Sequence, residues 1–161
     1  MANSNMRGES VSQITEEKQE ALLFLDLSNI FCTAIELHTR VDLKKLILEL
    51  SNRFVLRTLC AFASSKANSG LIEALYNMGF AVFQIPFDCD ALMGFKISEL
   101  TRTQKVKVVI IGTHDGDFRG ICDELEQGGI QVYFLGFKDR FSTFLRPKPC
   151  LNIEYLGGNT A

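Results

Sequence analysis

The stretch VVIIGTHDGDF, Val108 to Phe118, carries an apolar run through Thr113 into Asp115 and Asp117, two carboxylates one residue apart. Like charges that close repel, so they call for a shared proton or a cation. Acids close apolar runs at two other places. Asp26 ends ALLFLDL and is followed by Ser28 and Asn29, while Asp88 and Asp90 follow GFAVFQIPF. Taken singly, Asp117 and Asp90 could be helix N-caps or turn residues, common duties of aspartate. Their joint placement at three strand ends favours a shared site. A hard oxygen cluster without clustered His or Cys suits Mg2+ or Mn2+. Such a cation acts as a Lewis acid on a phosphoryl oxygen and lowers the pKa of water, which is the chemistry of phosphodiester hydrolysis. No residue reads as a covalent nucleophile.

Five apolar runs rich in Val, Ile and Phe read as the strands that position these acids: ALLFLDL, RFVLRTLCAFA, GFAVFQIPF, VKVVIIG and IQVYFLGF. Amphipathic stretches lie between them: NIFCTAIELH, VDLKKLILELSNR, SGLIEALYNMG, DALMGFKISELTR and DFRGICDELEQGG. This alternation predicts an α/β fold whose mostly parallel, five-stranded sheet is flanked by helices and centred on the first and fourth runs. In such sheets ligands bind beyond the carboxyl ends of the strands, where the acids stand. Residues 1–20 read as a flexible extension, 21–157 as the domain and 158–161 as a disordered tail. The segment RFSTFLRPKPCLNIEYL predicts a short helix ended by Pro147 and a last edge strand at NIEYL.

Composition narrows the partners. With 161 residues, 47% of them hydrophobic, the chain suits a single core. Seventeen Lys and Arg against nineteen Asp and Glu give a net charge of -2, so a polyanion must be held by local charge. The thirteen Phe, without any Trp, read chiefly as core. Five scattered Cys suggest neither a zinc site nor a disulfide framework. No segment is apolar enough to span a bilayer and the start lacks an apolar signal region, so a cytoplasmic protein without membrane contact is expected. Apolar residues in FSTFLRP leave a homodimer open.

The assembly resembles the NYN domain family, the branch of PIN-like nucleases that includes LabA and DUF88 proteins. FLDLSNIF looks like that family's opening strand with its Asp and Asn, and GTHDGDF resembles its Ser-Gly-Asp-x-Asp-Phe element. VDLKKLILEL, RTLCAFAS, LIEALYNMGFAVFQIPF and GGIQVYFLGFKDRFSTFLR follow the family's order from about Leu22 to Leu156. The resemblance implies a three-layer PIN-like domain and a Mg2+- or Mn2+-dependent ribonuclease, with RNA as the partner. It makes Asp26, Asp90, Asp115 and Asp117 catalytic. Asp26, Asp90 and Asp117 would hold the metal, Asp115 would complete the shell or orient water, and Asn29 and Thr113 would fix ligands or a phosphate oxygen.

Cys89-Asp90 matches the family's Val-Asp, but the second Asp, six residues later, falls on Lys96. Six helical residues turn by roughly 240°, so Lys96 shares a pocket with Asp90 only if Asp90 stands at the start of the helix. The ammonium then replaces a metal or binds a phosphate; otherwise it is solvated and Glu99 supplies the acid. The alternative to an enzyme is an impaired NYN-fold regulator that binds RNA or another protein. His114 stands at a family Gly and reads as a loop histidine, His38 as the end of a helix, and Arg119 as the cation best placed for a nucleic-acid backbone.

Overall fold

The computed structural model describes residues 17–156 and 158–160. Most of the segment expected to be a flexible extension therefore lies outside the described residues. The first strand, β1, starts at Gln19 and runs to Asp26. It is followed by α1 (Leu27–Glu36), the short β2 (Thr39–Val41), α2 (Leu43–Arg53) and β3 (Phe54–Ser64). Next come α3 (Ser69–Asn77), β4 (Phe80–Ile85), α4 (Asp90–Thr103) and β5 (Val108–Gly112). A 3-10 turn at Gly116–Phe118 leads into α5 (Arg119–Gln127), β6 (Gln131–Gly136), β7 (Cys150–Asn152), α6 (Ile153–Leu156) and β8 (Gly158–Thr160).

Six strands form one sheet in the order β4-β3-β1-β5-β6-β7, every neighbouring pair parallel. The sheet is thus α/β and centred on β1 and β5, with one strand more than the five expected. The sixth, β7, is three residues long and ends where NIEYL was expected to begin a strand. Asn152 Oδ1 instead accepts the Glu154 N–H at 3.2 Å and turns the chain into α6. The helix expected before Pro147 is a single turn, closed by Ser142 O accepting the Arg146 N–H at 3.2 Å. Gly158–Thr160, within the tail expected to be disordered, pairs antiparallel with β2.

Strand alternation separates two cores. Ala21, Leu23 and Leu25 of β1 point to the face covered by α1, α2 and α3, with Ile30, Leu46 and Leu75 packed on them. Leu22 and Phe24 point to the other face, against Met93 and Ile97 of α4 and Cys122 of α5. This three-layer arrangement makes the β1–β5 boundary a switch point. From β1 the chain builds outward through β3 and β4 under one helical layer, then crosses to β5 and builds the other way under the second layer. Crevices open beyond strand ends at such points. No helix among the described residues is long and apolar enough to cross a membrane.

Candidate metal centre

The acids are held by two turns of the same construction. After β4, Asp88 Oδ1 accepts the Asp90 N–H at 3.0 Å. After β5, Asp115 Oδ1 accepts the Asp117 N–H at 2.9 Å. In each Asp-x-Asp the first carboxylate satisfies the backbone and the second is released from capping. Neither Asp90 nor Asp117 caps its helix: α4 and α5 begin behind Cys89 and Phe118, without a side-chain cap. Asp26 does cap α1, its Oδ1 accepting the Asn29 N–H at 3.2 Å, and it is 6% exposed.

Three segments thus meet at one edge of the sheet. Ligand atoms of Asp90, Asp115 and Asp117 lie within 4.8 Å of one another, as do those of Asp26, Cys89 and Asp90. Asp90 belongs to both groups. A cleft of ≈ 360 Å³ opens over them, lined by Asp26, Asp88, Asp90 and Asp115 together with Ser28, Asn29, Ala63, Ser64, Pro86, Phe87 and Cys89. No Lys or Arg is in that lining.

The electrostatics follow from this crowding. Burial first, then a hydrogen bond and charge repulsion from Asp115 and Asp88, push the Asp90 carboxyl up to about 7. Burial also raises Asp26, opposed by the hydrogen bonds from Asn29 and Cys89. The Cys89 thiol, which donates to Asp26 Oδ1 at 3.7 Å, is pushed up to about 12 by burial and by Asp26 and Asp90. It is a protonated thiol at neutral pH, so the donors available to a cation are hard carboxylate oxygens. That set fits Mg2+ or Mn2+, which would neutralise charges that no side-chain cation in the cleft balances.

The residues expected to support the acids do so from behind. Thr113 is fully buried, its Oγ1 accepting the Asp115 N–H at 3.2 Å, so it fixes the second turn and does not face a ligand. Asn29 Oδ1 accepts from the His114 backbone N–H at 2.9 Å and meets His114 Nδ1 at 2.7 Å. The other ring nitrogen, Nε2, accepts the Phe137 N–H at 2.8 Å, which assigns the proton to Nδ1. Burial and the Arg140 charge hold this imidazole down at about 4, so it is neutral. Gly136 makes room for it, since a Cβ there would fall 2.5 Å from Nε2. His114 is therefore a buried tie between α1, β5 and β6 rather than a simple loop residue.

Two expected participants stand apart from the acids. Lys96 Nζ pairs with Glu99 Oε1 at 3.0 Å and lies 5.2 Å from the centre of the Phe83 ring. Neither it nor the Glu99 it pairs with lines the acid cleft. Six helical residues beyond Asp90, the Lys96 side chain stands against Phe83 of β4. Arg119 is likewise occupied: its Nη1 donates to Phe144 O at 3.0 Å and its Nε lies 3.5 Å from Asp123 Oδ2. It braces the loop after β6.

Phe87 lines the cleft without having been singled out from the sequence, while Asp88 and Cys89, noted there without a role, line it too. The repeated Asp-x-Asp spacing was the available signal for Asp88. A larger recess of ≈ 540 Å³ lies at the ends of β6 and β7, lined by Lys138, Asp139, Phe141, Arg146, Cys150 and Asn152. It gathers no group of acids. In FSTFLRP, Phe141 and Leu145 are core residues, and Phe144 is the one large apolar side chain that is exposed.

A parallel α/β sheet with acids gathered at its switch point defines the class of protein. The chain belongs to the NYN domain family, which it matches over residues 20–148. That membership places it with PIN-like nucleases. The fold is similar to a crystal structure of a Vibrio parahaemolyticus protein of unknown function, with a TM-score of 0.75 and 18% identity over 87% of this chain and 95% of the other. No curated protein matches the chain.

Proposed function

We propose that this chain is a metal-dependent endoribonuclease. The observation that carries the proposal is Asp90, a carboxyl raised to about 7 between Asp115 and Asp88, with Asp117 within ligand distance and no basic side chain lining the cleft. Asp90, Asp115 and Asp117 would hold a Mg2+ or Mn2+, with Asp26 on the far side of Asp90. The cation supplies Lewis acidity toward a phosphoryl oxygen and lowers the pKa of a nearby water. The protein's own work is positioning. The Asp88 and Asp115 turns fix the two free carboxylates, Asp26 buries one wall, and the Asn29–His114 tie holds the second turn to α1. Asp26, buried and raised in pKa, is placed to accept a proton from water within the cleft. RNA as substrate rests on the family.

The test is Mn2+ binding by calorimetry together with cleavage of single-stranded RNA. Purified protein is expected to do both and Asp117→Ala to cleave far less; a protein that does neither sinks the proposal. One observation favours a regulator that binds without cutting: with Glu99 paired to Lys96, the site holds one carboxylate fewer than the family's pattern implies. Metal-independent RNA binding, unaffected by Asp26→Asn, would support that reading.

A further inference from the structure

Of the thirteen Phe, three are exposed: Phe87, Phe95 and Phe144. Single exposed apolar side chains are ordinary on a protein surface. Phe87 differs in two respects. It is 75% exposed, the most exposed of the large apolar residues described, and it lines the acid cleft beside Asp26, Asp88, Asp90 and Asp115. Its loop is held at both ends. Before it, Ile85 O accepts the Ser65 N–H at 3.0 Å and Pro86 restricts the backbone; after it, the Asp88 turn closes on Asp90. The ring is thus presented at a fixed place without packing on the core.

The charge of the cleft says what such a ring is for. Four aspartates line it with no Lys or Arg, so a phosphodiester brought to these acids finds no cationic side chain there. Beyond what a bound cation supplies, affinity near the reacting phosphate must come from uncharged protein contacts, and the π-face of a nucleobase on an aromatic ring is a strong one. Room exists for the strand to continue. Ser28, Ala63 and Ser64 are shared with an apolar recess of ≈ 280 Å³ between α1 and α3 that Phe31 and Leu71 also line.

Building on the ribonuclease reading, we infer that Phe87 is a base-stacking residue, the platform for an unpaired base next to the scissile phosphodiester. It is a positioning residue for the substrate.

The chain contains no Trp, so Phe87→Trp places a unique fluorophore at the cleft. With Mn2+ present and a phosphorothioate oligouridylate carrying a fluorescent end label, indole emission should be quenched at the same midpoint as the rise in label anisotropy. An oligomer of the same length made entirely of abasic units should not quench it. In steady-state cleavage, Phe87→Leu should raise KM about tenfold with kcat changed less than about twofold, and Phe87→Tyr should restore KM. Tyr76→Leu, an equally simple loss of an exposed ring at the end of α3, should leave KM unchanged. Binding by anisotropy with unchanged indole emission, or an unchanged KM in Phe87→Leu while the parent cleaves, overturns the inference and leaves the ribonuclease intact. Absence of both binding and cleavage in the parent overturns both.

Discussion

The turns at Asp88-Cys89-Asp90 and Asp115-Gly116-Asp117 share one hydrogen-bond pattern but are locked by different neighbours. In the first the middle residue is Cys89, 7% exposed, whose thiol donates to Asp26 and fastens the turn to β1. In the second it is Gly116, where a Cβ would come 2.6 Å from Ser142 Oγ and 3.0 Å from Phe144 Cδ2, so the loop after β6 presses directly on the backbone. A side chain ties one turn inward, and the lack of one lets the other be clamped from outside. The same local device therefore tolerates change at its middle position very differently in its two settings.

The largest expected effect comes from the residue that joins the turns. Asp90→Asn should weaken Mn2+ binding by about 100-fold and Asp117→Asn by about 10-fold, both read by calorimetry, because Asp90 belongs to both ligand groups and Asp117 to one. Without a cation Asp90→Asn should raise the Tm at pH 8 and leave it unchanged near pH 4. The reason is its raised folded pKa, about 7 against 3.8: what the protonated form contributes is fully present below 3.8 and lost as pH rises through 7. Equal loss of binding in the two variants would remove the distinction between them.

Acid should loosen the second turn selectively. His114 has a folded pKa of about 4 against 6.5, so its neutral form contributes stability that is fully present above 6.5 and lost as pH falls through 4, in all about 3 kcal/mol. Hydrogen exchange at residues 113–118 should rise across that window more than at 86–90. Gly116→Ala should follow, destabilising by about 1–3 kcal/mol in urea as Ser142 and Phe144 are displaced. Cys89→Ala should cost about 1 kcal/mol, and little Mn2+ affinity, since it loses one weak donor and no carboxylate. The smallest effect is expected from Lys96→Met, a loss of about 0.5–1 kcal/mol from its half-buried ion pair and ring contact with Mn2+ affinity unchanged.

The sheet was legible because each of its five long strands carries a run of apolar residues, and helix caps such as Asp42 and Asn68 punctuate the stretches between. The three-residue strands β2, β7 and β8 carry no period to read. NIEYL misled because Asn152 acts on Glu154, a choice made by a side chain rather than by hydropathy. At the site, Asp26, Asp90, Asp115 and Asp117 were visible from their places after strands. The buried roles of Thr113 and His114 were not, since a polar residue in a loop looks the same in sequence whether it turns toward a ligand or toward Phe137. The surroundings of Lys96 were illegible for a related reason: spacing from Asp90 gave its angle around α4, but not the Glu99 and Phe83 partners that hold it.

The raised carboxyl of Asp90 makes cation uptake an exchange. With its pKa raised to about 7, the residue still holds its proton as pH approaches neutrality, where an ordinary carboxyl has lost it. Any cation that enters must expel that proton into the solvent. Calorimetric heats of Mn2+ binding at pH 7 should then vary with the ionisation enthalpy of the buffer and cease to do so at pH 9. The cleft would be a reporter of acidity as well as a seat for metal, emptying as its surroundings become more acid.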